Sequence, residues 1–276
     1  MTVDEVLELP SGAPRCAVLV LSGSSGRVET GRVRLLAQHG AAAASLRWFG
    51  GRGQPPGICE VPLETFGPVL DRLAGLHEHL AVVGTSKGAE AALLLAASDP
   101  RIRVVAALAP SAVVWANVGA EADGETYPYR SSWTLAGRPL PFVPYDGHWQ
   151  PDADSVPPSY RGLYEQSLRI HPREAEQAVI PVERIEGEVL LAAGGDDQLW
   201  PSVPFAEQIV GRRAAHGLPT RLVTHPAAGH RLVLPGEPVV AEAAPRLARG
   251  GTPAADAALG AAAWRELLVM LHLVGL

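Results

Sequence analysis

Residues 80–98 constrain the fold of this chain more than any other stretch. They begin with a short apolar run, residues 80–83, which is typical of a buried strand, and they end with an alanine- and leucine-rich run, residues 89–97, of high helix propensity. Between the two runs lies the pentapeptide GTSKG, which matches the pattern G-x-S-x-G. A serine in a tight turn between a strand and a helix is typical of a nucleophile elbow. The pattern therefore predicts a catalytic Ser86, the alternative being a chance match in a chain with 29 glycines.

The elbow belongs to an alternation of strand and helix patterns along the chain. Strands are predicted at residues 15–21, 41–48, 80–83, 101–108, 188–193 and 220–224, and helices at residues 28–39, 64–80, 89–97, 202–216 and around Trp264, Leu267, Leu268, Leu271 and Val274. Residues 3–9 alternate weakly, as in an edge strand. Continuous apolar strands that alternate with helices predict an α/β fold, with a mostly parallel sheet and helices on both faces.

One long segment, residues 111–183, interrupts this alternation. It holds all five tyrosines and three of the six tryptophans, Trp115, Trp133 and Trp149, and it shows little periodicity. A segment of this length inside a compact domain is usually a functional lid or a disordered insert, and disorder is poor in aromatic residues. We therefore expect a single domain, residues 1–276, with a lid-like insertion at about 111–183. The aromatic side chains either cover the crevice above the carboxyl ends of the strands or pack a small core of the insertion itself.

A serine nucleophile requires a base, and the base requires an acid that orients it. Two polar loops follow predicted strands after the elbow: one contains Asp196 and Asp197, and the other contains His230. Both loops lie at the carboxyl ends of their strands, and therefore at the same edge of the sheet as Ser86. We expect His230 to be the base, one aspartate to orient it and the other to brace the turn. His225, at the end of a strand, is the nearest rival base.

The oxyanion of an acyl-transfer reaction needs two backbone N–H donors. In an elbow of this kind one donor belongs to the residue after the nucleophile, here Lys87, and the other to the loop after an earlier strand. That loop, residues 22–26, is built of small residues, among which we select Ser24 as the donor. The Lys87 side chain either attracts an anionic substrate or is paired within the structure.

Composition and motifs argue against several other classes of protein. The net charge is −6 with no basic stripe, which argues against nucleic-acid binding. The first residues have no basic or apolar region typical of a signal peptide, and no apolar run is long enough to span a membrane. Cys16 and Cys59 have no motif spacing, so we expect reduced thiols and a cytoplasmic protein. There is neither an HExxH motif nor a cluster of cysteines and histidines, so we expect no metal and no cofactor.

The motifs together resemble the C-terminal catalytic domain of acyl-CoA thioesterases and bile acid-CoA:amino acid N-acyltransferases. The segments that carry the resemblance are residues 22–26, 84–88 with Glu90, 111–115, 180–184, 195–202, 229–230 and 263–267. The resemblance implies an α/β-hydrolase fold and a triad of Ser86, Asp197 and His230, in which the second aspartate of the pair is the acid.

The resemblance also implies an activity, the cleavage of an acyl thioester of coenzyme A or of a carrier. Amino-acid acyltransferases of the family are associated with cysteine at the nucleophile position and hydrolases with serine, so Ser86 favours hydrolysis. We expect the acyl substrate, a small molecule, to contact Gly23, Trp115, Trp133 and Trp200. Two alternatives stay open: an esterase, lactonase or acyltransferase with the same triad, and a binding module without catalysis.

Overall fold

The computed structural model describes residues 4–118, 129–237 and 246–274; Tyr127, one of the five tyrosines of the insertion, lies outside them. The strands of the described residues are β1 (Glu5–Glu8), β2 (Cys16–Leu21), β3 (Ala41–Leu46), β4 (Val61–Pro62), β5 (Leu80–Thr85), β6 (Ile102–Leu108), β7 (Trp133–Leu135), β8 (Arg138–Pro139), β9 (Glu188–Gly194) and β10 (Arg221–His225). The α-helices are α1 (Thr30–Gln38), α2 (Gly67–Leu76), α3 (Lys87–Ser98), α4 (Arg161–Ile170), α5 (Pro172–Gln177), α6 (Ser202–Ala214) and α7 (Pro253–Met270).

The main sheet has seven strands in the order β1-β3-β2-β5-β6-β9-β10. All neighbouring pairs are parallel except β1 and β3, so the predicted parallel sheet and the edge strand near the N-terminus are confirmed. Strand β5 lies near the middle of the sheet, between β2 and β6. The loops after β2, β5, β9 and β10 therefore meet at one edge.

Two apolar layers cover the faces of the sheet. Alternate residues of β2 show this. Ala17, Leu19 and Leu21 pack in the layer of α2, α3 and α6. The residues between them, which point to the other face, pack with Cys16 in the layer of α1 and α7. The predicted helices on both faces are thus confirmed. Burial raises the pKa of the Cys16 thiol to about 12, so this thiol stays protonated and inert in the core.

Two helices differ from their predicted bounds for local reasons. The expected helix over residues 64–80 is a 3₁₀ turn, Leu63–Phe66, followed by α2, and Pro68 falls in the first turn of α2, where its missing N–H is tolerated. The last helix ends at Met270 rather than continuing to Val274. His272 has a φ of 56°, a left-handed conformation that cannot continue an α-helix.

The insertion is joined to the body of the protein by backbone pairing at its neck. Val113 and Val179 form an antiparallel bridge, and the amide of Ile180 donates to the carbonyl of Ala112, so the two ends of the insertion lie together. Strands β7 and β8 form a small sheet with β4, which precedes the insertion in the chain. The described part of the insertion is therefore continuous with the domain, and its role as a lid stays a prediction.

Glu183 and Arg212 form an ion pair that joins the 3₁₀ turn Val182–Arg184 to α6, with N···O distances of 2.5 and 2.9 Å. These hydrogen bonds lower the pKa of Glu183 from 4.5 to about 2. Because the folded-state pKa lies below the unfolded value, the pair contributes stability that is complete above pH 4.5 and is lost as the pH falls towards 2.

Replacing Glu183 with glutamine is therefore expected to lower the free energy of unfolding by about 1 kcal/mol or less near neutral pH, since Arg212 is partly exposed. The difference between wild type and variant should shrink as the pH is lowered from about 5.5 to about 2.5. Urea titrations at each pH measure it. A stability difference that stays constant or grows as the pH falls over this range would contradict the assignment of the lowered Glu183 pKa to its ion pair with Arg212.

In the described ranges, no helix combines the length and the apolar character that a membrane crossing requires.

Candidate active site

Ser86 lies in the turn between β5 and α3, as the pentapeptide predicts. Its backbone has a φ of 56° and a ψ of −122°, a conformation that non-glycine residues rarely adopt. The amide of Ser86 donates to the carbonyl of Leu108 on the neighbouring strand at 2.9 Å, and the Ser86 carbonyl accepts the amides of Ala89 and Glu90. The strained turn is thus fixed from both sides, and it presents Ser86 at the carboxyl edge of the sheet.

The two glycines of the pentapeptide are required by close backbone contacts. A Cβ on Gly84 would lie 2.0 Å from the carbonyl oxygen of Gly88, and a Cβ on Gly88 would lie 2.3 Å from the carbonyl oxygen of Ser22. Both distances are far below any real contact of a Cβ atom. The glycines therefore allow β5, α3 and the loop after β2 to approach one another beneath the serine.

His230 and Asp197 form a buried hydrogen-bonded pair. The distance from His230 Nδ1 to Asp197 Oδ2 is 2.8 Å, and the two residues are 5% and 0% exposed. The other carboxylate oxygen of Asp197 accepts the amides of Leu199 and Trp200 at 2.9 and 3.2 Å. One carboxylate oxygen therefore binds the backbone of its own turn, and the other binds the histidine.

The neighbouring polar residues have other partners. The carboxylate of Asp196 accepts from the Gln198 side chain and from the amide of Gly251, both at 2.8 Å, so it braces the loop. His225 accepts the amide of Ala227 through Nδ1. Of the two aspartates, the structure thus pairs Asp197 with His230. The ring of His225 instead binds the backbone of its own loop.

The loop after β2 lies against the elbow. A Cβ on Gly23 would lie 3.0 Å from Ser86 Cβ and 3.6 Å from Ser86 Oγ, so this loop borders the serine hydroxyl directly. Ser24 is exposed in the same loop. Lys87 is the first residue of α3, where backbone N–H groups have no partner inside the helix. The two expected N–H donors, at Lys87 and Ser24, belong to segments that flank Ser86.

The Lys87 side chain is buried and forms an ion pair with Glu90. Lys87 Nζ lies 3.0 and 2.9 Å from the two carboxylate oxygens of Glu90, and the residues are 2% and 0% exposed. Glu90 Oε1 also accepts from the indole of Trp133 at 2.7 Å and from the amide of Trp115 at 3.2 Å. The paired interpretation of Lys87 is therefore what the structure shows, and Glu90 ties the insertion to the elbow helix.

This ion pair yields a prediction about stability. Burial lowers the pKa of Lys87 and raises that of Glu90, while each partner opposes the shift of the other. Replacing Glu90 with glutamine keeps an oxygen for Trp133 but leaves a buried ammonium group unpaired. We expect the free energy of unfolding to fall by about 3–5 kcal/mol, and the double variant Lys87→Met, Glu90→Gln to recover most of that loss.

Urea titration of the wild type, both variants and Glu266→Gln, which breaks an exposed ion pair with Arg221, measures these differences. The Glu266 control should change stability by less than about 1 kcal/mol. In Glu90→Gln the unfolded chain binds more protons than the folded protein at pH values between the lowered pKa of Lys87 and 10.5, so stability should rise with pH over that range. A double variant no more stable than the single one would contradict the pairing argument.

A row of aromatic side chains leads from His230 into the insertion. The ring of Trp200 lies 5.6 Å from that of His230, Tyr164 lies 5.6 Å from Trp200, and Tyr145 lies 5.5 Å from Tyr164, all in edge-to-face contact. Burial raises the pKa of Tyr164 to about 12, so this phenol stays neutral. The insertion is therefore connected to the hydrogen-bonded pair of Asp197 and His230 through Trp200.

The four residues expected to contact substrate fall into two groups. Gly23 borders Ser86, and Trp200, which is itself only 2% exposed, borders His230. Trp115 and Trp133 are fully buried; the indole of Trp133 packs 5.1 Å from that of Trp48 in the body of the domain. The ring of Trp115 lies 6.2 Å from that of Phe205 on α6, so both tryptophans pack between the insertion and the body rather than in a small core of the insertion alone. Neither has any surface exposed to a crevice in this conformation.

Within residues 4–118, 129–237 and 246–274, no three histidine, cysteine, aspartate or glutamate side chains lie together as metal ligands would.

Solved structures similar to this chain share its fold. A dienelactone hydrolase-like promiscuous phosphotriesterase from metagenomic libraries aligns with a TM-score of 0.51 at 15% identity, over 95% of this chain and 87% of that one. Est1E of Butyrivibrio proteoclasticus, solved with ferulic acid bound, aligns with a TM-score of 0.50 at 16% identity, over 83% of this chain and 87% of that one. At these identities the likeness shows an α/β-hydrolase fold and nothing finer.

Curated relatives are more informative about family. Acyl-coenzyme A thioesterase 2 of mouse mitochondria is 26% identical over 274 residues, which cover 95% of this chain and 56% of the mouse protein. Acyl-coenzyme A amino acid N-acyltransferase 2 of mouse is 28% identical over 274 residues, with coverage of 95% and 61%. The chain thus spans less than two thirds of the length of these relatives.

The model of one protein family matches most of the chain. It covers residues 69–273, and so includes the elbow, the insertion, the loop of Asp197 and the loop of His230. The chain belongs to the family described as BAAT / Acyl-CoA thioester hydrolase C terminal.

Proposed function

We propose that this protein is a serine hydrolase that cleaves an acyl thioester, an acyl-CoA or a carrier-bound acyl group, through an acyl-serine intermediate. The observation that carries the proposal is the buried hydrogen bond between Asp197 and His230, at the sheet edge where the strained elbow presents Ser86. A hydroxyl, an acid and a base in this chain order are the parts of a Ser-Asp-His triad.

In the proposed first step, His230 Nε2 takes the proton of the Ser86 hydroxyl as Oγ attacks the thioester carbonyl. Asp197 holds the imidazole through Nδ1 and stabilises the imidazolium that forms. The backbone N–H groups of Lys87 and Ser24 bind the oxyanion. When the C–S bond breaks, the leaving thiolate takes the proton from His230.

In the second step, His230 activates a water molecule that attacks the acyl-serine ester and releases the free acid. An oxygen ester reacts less readily with an amine than a thioester does, so a serine nucleophile favours water over an amine as the acyl acceptor. The acyl group would lie beside Gly23 and Trp200, with the insertion at residues 111–183 acting as a lid on the single domain. Trp115 and Trp133, which are buried, would not contact the acyl group but would hold the insertion in place.

The substrate class rests on the relatives, which include acyl-coenzyme A thioesterases and acyl-coenzyme A amino acid N-acyltransferases. A panel of acyl-CoAs and p-nitrophenyl esters tests it, with glycine or taurine added in parallel. We expect thiol release with free acid as the acyl product, whether or not the amine is present. An acyl-amine adduct would assign the transferase alternative, and turnover of the oxygen esters alone would assign an esterase.

A further inference from the structure

Arg32 is a buried arginine on α1, a helix that contributes no residue to the proposed triad. It is 6% exposed. Its Nη1 donates to Thr85 Oγ1 at 2.7 Å, and its Nη2 donates to the carbonyl oxygen of Leu232 at 3.4 Å. Its Nε and Nη2 donate to the two carboxylate oxygens of Glu237 at 2.6 and 3.3 Å. One guanidinium group therefore contacts three residues, Thr85 in one segment of the chain and Leu232 and Glu237 in another.

These two segments carry the proposed nucleophile and base. Thr85 is the residue immediately before Ser86, and Leu232 lies two residues after His230. Glu237 completes the same loop, because its Oε2 accepts the amide of Leu234 at 2.9 Å. Arg32 thus bridges the elbow and the loop of the base by side-chain hydrogen bonds.

Each of the two segments has its own attachment, but these attachments run to different neighbours. The Ser86 amide is bonded to Leu108 on β6. The amide of Gly229 donates to Asp256 on α7, and the amide of His230 donates to the carbonyl of Arg249. These bonds fix each segment to its own surroundings. The contacts of Arg32 fix the two segments to each other.

We infer that Arg32 is a positioning residue, which holds the elbow and the base loop in register so that His230 Nε2 stays within reach of Ser86 Oγ. The inference rests on the proposed function and deepens it. The rigid, planar fork of an arginine is suited to this task, because it directs donors to several acceptors at once. A lysine at this position can keep the charge opposite Glu237, but not the simultaneous contacts with Thr85 and Leu232.

A second buried arginine provides a matched control. Arg213, on α6, is 1% exposed and donates to Thr220 and to the carbonyls of Val182, Ile185, Gly187 and Pro219. Gly187 and Thr220 precede β9 and β10, so Arg213 joins loops at the amino edge of the sheet, opposite the proposed site. It resembles Arg32 in burial and in its fork of contacts, but not in location.

The test uses Thr85→Val, Arg32→Lys and Arg213→Lys in the full chain. Thr85→Val removes only the hydroxyl acceptor of Arg32 and retains the β-branched shape. For this variant we expect kcat for acyl-CoA hydrolysis to fall about tenfold, with KM changed less than about twofold, since one charge-assisted hydrogen bond is lost. Arg32→Lys should lower kcat at least as much. Arg213→Lys should lower the melting temperature and leave kcat unchanged well below it.

A fluorophosphonate that lacks an acyl chain and coenzyme A gives a second readout, since its reaction rate depends on the activation of Ser86 rather than on substrate binding. We expect labelling to slow in parallel with kcat in Thr85→Val and Arg32→Lys. Wild-type rates in both variants, or losses that only match their unfolded fraction, would overturn the positioning role while the proposed hydrolase stands. A folded wild type that neither reacts with the probe nor hydrolyses acyl-CoA would overturn both.

Discussion

Replacing Ser86 with alanine is expected to lower kcat for acyl-CoA hydrolysis by about 10⁴- to 10⁶-fold, because no acyl-enzyme can form without the hydroxyl. The variant should fold normally. The contacts that hold the elbow are made by the backbone of Ser86 with Leu108, Ala89 and Glu90, and alanine keeps all of them. Steady-state thiol release measures the loss, with the urea midpoint as the check on folding.

A control on the same turn distinguishes the hydroxyl from the shape of the elbow. Thr85→Val also removes a hydroxyl, one residue earlier, but its expected loss is only about tenfold. A Ser86→Ala protein that is folded and retains more than about a tenth of the wild-type kcat would contradict the proposed mechanism. The nucleophile would then have to be sought elsewhere in the chain.

Replacing Asp197 with asparagine is expected to lower kcat by about 10⁴-fold, with little change in KM. The amides of Leu199 and Trp200 both donate to Oδ1, so the oxygen of the new amide must stay there. The NH₂ group then faces His230 Nδ1 and donates to it. This places the imidazole proton on Nε2, the atom that accepts the proton of Ser86 in the proposed mechanism.

Asp196→Asn is the matched control for this variant. The two aspartates are adjacent, and both substitutions remove one negative charge. Asp196, however, is exposed and binds the Gln198 side chain and the amide of Gly251. We expect its kcat to stay within about twofold of wild type, since it touches neither the base nor the nucleophile. Comparable losses at the two positions would show that loop structure or net charge, rather than the tautomer of His230, determines the rate.

Much of this architecture is predictable from local sequence patterns. The run CAVLVL is apolar at every position because β2 is covered on both faces, and such a run predicts a central parallel strand. The elbow is predictable because its close backbone contacts leave no room for a Cβ at Gly84 and Gly88, on either side of the serine. The loops of Asp197 and His230 follow from the rule that the carboxyl ends of parallel strands share an edge.

Other features depend on contacts that no local pattern encodes. Arg32 has the sequence context of a surface charge on an amphipathic helix, yet Thr85 and Glu237, its partners, lie 53 and 205 positions away. Trp133 follows no periodic pattern, and its contacts with Trp48 and Glu90 arise only when the insertion folds back on the body. The partners of a buried charge that lie far away in the sequence can be recognised only from the three-dimensional structure. The same holds for the contacts of an aromatic residue in an irregular segment.

The covalent intermediate tests the central claim most directly. Wild-type protein mixed with an acyl-CoA and quenched in acid within the first turnovers can be digested and examined by mass spectrometry. We predict that the peptide containing Ser86 carries the mass of the acyl group, and that Ser86→Ala carries none. Turnover of the thioester with Ser86 unmodified, or with the acyl group on another residue such as Cys59, would contradict the account.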